Sequence, residues 1–236
     1  MSGKTEAIRK KLRELGDPVR AEKLASFFRT ETGGYGEGDR FLSVRVPLIR
    51  ALVREYRGMP PVDCAVLLRS QWHEERLFAL LMMVDSFNRG GEALREEIFG
   101  LYMSSTAFVN NWDLVDASAP HLAGAWLLNR DRSPLYALAR SEDLWERRIA
   151  IVATQYFIRR GDYADTLRIG EMLLHDSHDL IHKAVGWMLR EVGDRELPAE
   201  EAFLLEHCRT MPRTMLRYAI EKFPEETRQA WLKGGR

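Results

Sequence analysis

The sequence predicts an all-α fold, an α-solenoid of HEAT-like helix pairs with a concave face, and three observations carry that prediction. Apolar residues recur at helical spacing almost from end to end, punctuated by caps and short breaks. No segment shows sustained alternation bounded by turn residues on both sides, as a half-buried strand would. Three helical stretches also share a pattern of one basic residue followed by an apolar run containing small residues: Arg76 to Leu81, Arg148 to Ala153 and Lys183 to Met188. Their basic positions are 72 and 35 residues apart, and a unit between the first two falls near Trp112. A period near 36 with two helices per unit marks stacked pairs that bury a shared core and curve into a concave surface.

Taken in order, residues 5–15 read as a helix with Ile8, Leu12 and Leu15 inward and Gly16 beyond its end. Asp17 and Pro18 open the next as N-cap and first-turn proline, carrying Leu24, Phe27 and Phe28 inward. The glycine-rich stretch Thr32 to Arg40 meets no nucleotide-binding pattern and follows no strand, so it is expected to be a flexible connection. Pro47 starts a helix with Leu48, Leu52 and Val53 as its apolar stripe and Arg50, Arg54 and Arg57 towards solvent. Further helices are expected over about 61–69, 73–87, 92–104, 112–118, 121–129, 133–140, 144–160, 163–174, 179–192, 198–208 and 214–223. Residues 1–236 are expected to form a single domain.

Thirty-five basic against 35 acidic residues give no net charge, which argues against nucleic-acid binding by bulk charge but not by segregation of cations onto one face. In a solenoid the second helices line the concave side, and Arg76, Arg148 and Lys183 would form a row there. Alternatively each pairs with nearby acids such as Glu75 and Glu146. There is no apolar run near the length of a membrane span, and the start, Met1 to Glu6, lacks a signal-peptide core. Cys64 and Cys208 are far apart and read as reduced thiols in a cytoplasmic protein.

The most informative stretch is Asn110-Asn111-Trp112-Asp113-Leu114-Val115-Asp116-Ala117-Ser118-Ala119-Pro120. Either asparagine can cap a helix start. Trp112 and Asp116 are one helical turn apart and point the same way. An indole beside a partly desolvated carboxylate suits a developing cation, although the same pair can be a core tryptophan with a structural acid.

Beside the repeat helices, this stretch resembles the Trp-Asp-x-Val-Asp signature of the HEAT-like alkylpurine DNA glycosylases, the AlkD type of DNA alkylation repair enzyme. Leu144 to Ala150, Lys183 to Glu191, Phe41 to Pro47 and Arg213 to Ile220 match as well, so the resemblance runs over nearly the whole chain. It implies hydrolysis of the N-glycosidic bond of positively charged N3- or N7-alkylated purines in duplex DNA, without metal or organic cofactor; a monomer is the natural default for a DNA-wrapping crescent. Asp116 takes the position of the catalytic carboxylate, and Trp112 and Trp187 those of two tryptophans facing the damaged nucleotide across the concave cleft. Arg148 takes that of the basic residue holding the DNA backbone, and Phe27 that of an aromatic residue on the second helix. Lys183 and Arg190 are added as DNA contacts, although Arg190 also suits an ion pair and Asp113 suits helix-start charge compensation.

Two further readings stay open: a non-catalytic binder of DNA structure on the same scaffold, and a protein–protein scaffold. His175, His178 and His182 have ligand-like spacing, but the segment spans a helix break and no cysteine joins it, which favours solvent-facing histidines.

Overall fold

The computed structural model describes residues 3–234, so Met1 and Ser2 of the N-terminal stretch read above lie outside the described residues. The described chain is helical throughout, with a single bridge between Arg40 and Trp72 as its only β pairing. None of these helices is long and apolar enough to cross a membrane. The chain divides into two compact units, the first ending at Ser118 and the second beginning at Ala119.

The first unit contains α1 (Gly3–Glu14), α2 (Pro18–Phe27), α3 (Val46–Glu55), α4 (Pro61–Leu68), α5 (His73–Arg89), α6 (Glu92–Met103) and α7 (Trp112–Ser118). Helix α5 is its centre. It packs against α3, α4, α6 and α7. Phe78, Leu80, Met82 and Met83 are fully buried there, which explains why the middle of α5, Leu77 to Val84, is apolar all round.

The second unit contains a π-helical turn at Pro120–Gly124, then α8 (Ala125–Leu127), α9 (Ser133–Ala139), α10 (Leu144–Ala153), α11 (Gln155–Ile158), α12 (Ala164–Met172), α13 (Asp179–Gly193), α14 (Leu197–His207), α15 (Arg213–Ala219) and α16 (Glu225–Leu232). Helices pair as α9 with α10, α12 with α13 and α13 with α14, while α10, α13 and α15 pack side by side. That is the neighbour pattern of a helical repeat. Two glycines permit the close approaches. A Cβ on Gly186 would lie 2.4 Å from the Met215 carbonyl oxygen, and one on Gly124 would lie 2.2 Å from that of Ala153. Pro120 cannot donate to a helical ladder, and Gly124 N–H instead reaches back five residues to the Ala119 carbonyl at 3.0 Å.

Several local expectations are corrected. Phe27 is 62% exposed, and Leu15 and Leu48 are exposed too, whereas Leu12 and Phe28 are buried as expected and Ile49 is buried beside Leu52 and Val53. The 144–160 stretch is broken at Thr154, whose hydroxyl donates 2.6 Å to the Ile151 carbonyl. The glycine-rich stretch is no loose connection. Gly36 N–H donates to the Arg29 carbonyl, and a Cβ on Gly34 or Gly36 would lie 1.9 Å or 2.3 Å from the carbonyl oxygens of Arg29 and Phe28. The last helix, α16, lies beyond the expected elements; proline and two acids start it, and the buried Trp231 anchors it.

Candidate functional site

In the first unit, Asn111 starts α7. Its backbone carbonyl accepts from Val115 N–H and its side-chain oxygen from Trp112 N–H, at 2.8 Å. Trp112 and Asp116 are half-buried, while Leu114 and Val115 between them are fully buried and hold the helix down. The Trp112 ring is stacked on Phe28, with centroids 5.4 Å apart and planes 19° apart, and Phe27 meets it edge-on at 6.3 Å. Phe28 is in turn stacked on Phe41, and Phe41 on His73. Trp112 is therefore the outer member of a stack of rings rooted in the core.

A buried charge network fixes the same helix start. His73 bridges two carboxylates, with Nδ1 3.2 Å from Asp39 Oδ2 and Nε2 2.8 Å from Asp113 Oδ2. Arg76 donates to the other Asp39 oxygen at 2.6 Å, and the Asn111 amide reaches Asp39 at 3.2 Å. Burial alone would disfavour the imidazolium, but the charge and hydrogen bond of Asp113, helped by Asp39, raise His73 to about 9. Asp39 shows the reverse balance: burial opposes its ionisation, and the bonds from His73 and the charge of Arg76 bring its carboxyl below the ordinary value. Arg76 is thus no member of an exposed basic row; its charge is spent on Asp39 rather than on neighbouring Glu75. Asp113 has a structural part, accepting from Leu114 N–H at 2.9 Å as well as from His73.

Asp116 lies beside a second buried pair, Tyr102 and Ser118, whose hydroxyls are 3.1 Å apart. Burial pushes the Tyr102 phenol above its ordinary value, the Ser118 bond works the other way, and the Asp116 charge adds to the rise.

In the second unit, Asp143 caps α10 through the N–H groups of Trp145 and Glu146. Arg148 on that helix is only 5% exposed and donates 2.7 Å to the Leu180 carbonyl, at the start of α13. Lys183, Trp187 and Arg190 follow at one-turn spacing on α13, all half-buried. Lys183 pairs with Asp179 at 2.7 Å, Trp187 Nε1 donates 3.3 Å to Glu191, and Arg190 pairs with Glu221. The histidines before α13 are engaged locally: His178 Nδ1 accepts from Leu180 N–H, and His182 Nε2 lies 2.5 Å from the Asp176 carbonyl. No group of three metal-ligating side chains occurs among the described residues.

The structure thus brings Phe27 and Trp112 into contact and puts Asp116 on the next turn; it gathers Lys183, Trp187 and Arg190 on one helix face, with Arg148 tied to that helix's start. Sequence reasoning missed Phe28, Asp39 and His73 as supports. Their partners lie tens of residues away, and no local spacing announces them.

A helical-repeat protein with an indole and a carboxylate displayed on one short, firmly braced helix is the class defined here. The chain belongs to the DNA alkylation repair enzyme family, whose profile matches residues 8–223. Among solved structures it is similar to a predicted DNA alkylation repair enzyme from Enterococcus faecalis, with a TM-score of 0.68 and 16% identity over 89% of this chain and 97% of that one. At that identity the likeness speaks for the fold alone. No curated protein matches the chain.

Proposed function

We propose that this protein is a DNA glycosylase that removes positively charged N3- and N7-alkylated purines from duplex DNA. The observation that carries the reading is the single helical turn joining Trp112 to Asp116, braced from behind by Phe28 and by the His73–Asp113 pair. A family devoted to DNA alkylation repair supports the substrate class.

The chemistry needs little from the protein. Alkylation at N3 or N7 makes the purine cationic and a good leaving group. As the C1′–N bond breaks, its electron pair goes to the departing base, which neutralises the ring, and positive charge develops on the sugar. Asp116 stabilises that charge and orients a water; the water oxygen bonds to C1′ and its proton passes to the carboxylate or to solvent. Trp112 offers an indole face that attracts a cationic nucleotide by roughly 0.5–2 kcal/mol more than a neutral one. Phe27 extends that surface.

In the second unit Trp187 contacts the lesion region, and Lys183 and Arg190 contact phosphate after exchanging Asp179 and Glu221 for DNA. Arg148 donates to the Leu180 carbonyl at the start of α13 and adds positive charge there. The reaction uses no metal or organic cofactor, and the protein works as a cytoplasmic monomer.

The test is release of N7-methylguanine and N3-methyladenine from methylated duplex DNA by the purified chain. Release above the spontaneous rate supports the reading. DNA binding without release points to a non-catalytic binder.

A further inference from the structure

One cavity in the first unit runs inward from the Phe27–Trp112 surface, and its remaining walls have no role in the chemistry above. It has a volume of about 420 Å³, within the range of small-ligand sites, and its walls include Leu24, Phe27, Phe28, Phe41, Leu77 and Trp112. Three polar features make it more than an apolar gap. Ser43, on its wall, is 2% exposed and its hydroxyl has no hydrogen-bond partner. The same residue has φ of 64°, a conformation costly for a side chain with a Cβ, and it is held there by its N–H donating 2.6 Å to Glu74. At the rim stand Arg20 and Arg45, both exposed, and neither guanidinium has an ion-pair or hydrogen-bond partner among the described residues.

Each feature constrains the occupant. Aromatic walls suit a flat ring, and the 62% exposed Phe27 presents its ring freely. A buried hydroxyl without a partner is costly to leave unmet, so the occupant should carry a polar edge, which an aliphatic chain lacks. Two free guanidiniums at the mouth call for a phosphodiester.

We propose that this groove is a nucleotide subsite that takes one unstacked DNA nucleotide, with its base against Phe27 and Trp112, its base edge on the Ser43 hydroxyl and its phosphate on Arg20 and Arg45. This rests on the reading that the protein acts on duplex DNA. Because Trp112 borders both the groove and the turn that carries Asp116, a nucleotide drawn in here would hold the duplex open beside the reacting sugar. Stacking on protein rings stabilises a base enough to make this feasible without sequence readout.

The test uses the full chain and a duplex carrying a tetrahydrofuran abasic analogue with 5-iododeoxyuridine beside or opposite it. On irradiation the label should cross-link to a peptide containing Phe27 or Trp112. Ser43→Gly removes the hydroxyl and suits the positive φ, so it should fold at least as stably as the parent yet bind this duplex about three- to tenfold more weakly. Arg20→Glu with Arg45→Glu should weaken binding at least about tenfold and flatten its salt dependence by roughly two phosphate contacts. Cross-links that map only elsewhere, or full affinity in both variants, would overturn the subsite. Excision of methylated purines without a groove cross-link sinks this inference alone, whereas a groove cross-link without excision sinks the glycosylase reading alone. Absence of any DNA binding removes both.

Discussion

His73 Nε2 lies 2.8 Å from Asp113 Oδ2, so the first residue of α5 is tied to the second residue of α7, directly beside Trp112. With Asp39 on its other nitrogen, the imidazole is a buried cation between two anions. Its raised value, about 9 against an ordinary 6.5, fixes the sign of its pH dependence. The contribution to stability is fully present below the unfolded value near 6.5 and is lost as pH rises through about 9. His73→Gln should therefore destabilise the protein by about 3 kcal/mol near pH 6, with a difference from the parent that shrinks as pH rises from about 6.5 and has largely gone by about 9. Urea unfolding of both proteins from pH 6 to 10 checks this; a constant difference would show that the charge plays no part.

Phe27 and Phe28 are neighbours with opposite duties. Phe28 is buried between Trp112 and Phe41, so Phe28→Ala should cost about 3–5 kcal/mol of stability. Phe27 is exposed, so Phe27→Ala should change stability by less than about 1 kcal/mol while weakening binding to lesion-containing duplex several-fold. Thermal melts paired with a fluorescence-anisotropy titration separate the two effects.

Glu200 is 2% exposed and one of its oxygens has no partner. Burial, with the charge of Asp194, raises its carboxyl to about 8 against the pull of Arg190. Here an acid is raised, so the native state holds its proton longer than the unfolded chain does. The contribution of Glu200 to stability is most favourable below the unfolded value of 4.5 and falls as pH climbs from there to about 8, then levels off. Glu200→Gln should remove that slope and leave the variant more stable than the parent at pH 8. Equal melting temperatures at pH 5 and pH 8 in the parent would contradict this.

Gly186→Ala tests the contact between α13 and α15. Its Cβ would sit 2.4 Å from the Met215 carbonyl oxygen and 2.5 Å from Tyr218 Cβ, and neither atom is the tip of a flexible chain. A loss of about 1–3 kcal/mol or more in urea unfolding is expected, with weaker DNA binding because α13 carries Trp187. A neutral substitution would mean that the two helices separate easily.

The helical architecture was legible because caps and apolar spacing are local signals. Asp17 with Pro18 and Asp143 before Leu144 start helices in the structure as their residue types suggest. Facing was less legible. Phe27 and Leu48 fit the apolar pattern yet stand exposed, because the pattern does not say which apolar positions find a partner; Phe27 instead lines a groove. The pairing of Trp112 with Asp116 could be read from one turn of helix, whereas Asp39, His73 and Asn111 meet across 34 and 72 residues and leave no trace in local spacing. Glu200 and Ser43 were missed for a related reason: a residue type does not reveal that its polar atom is buried without a partner.

The most direct test of the central claim compares the parent with Asp116→Asn in single-turnover release of N7-methylguanine from duplex DNA, with affinity for the same duplex measured alongside. The role proposed for Asp116 predicts that loss of its charge slows release by about 100-fold or more, while affinity changes little. Release at the parental rate in the Asn variant would contradict the role assigned to Asp116.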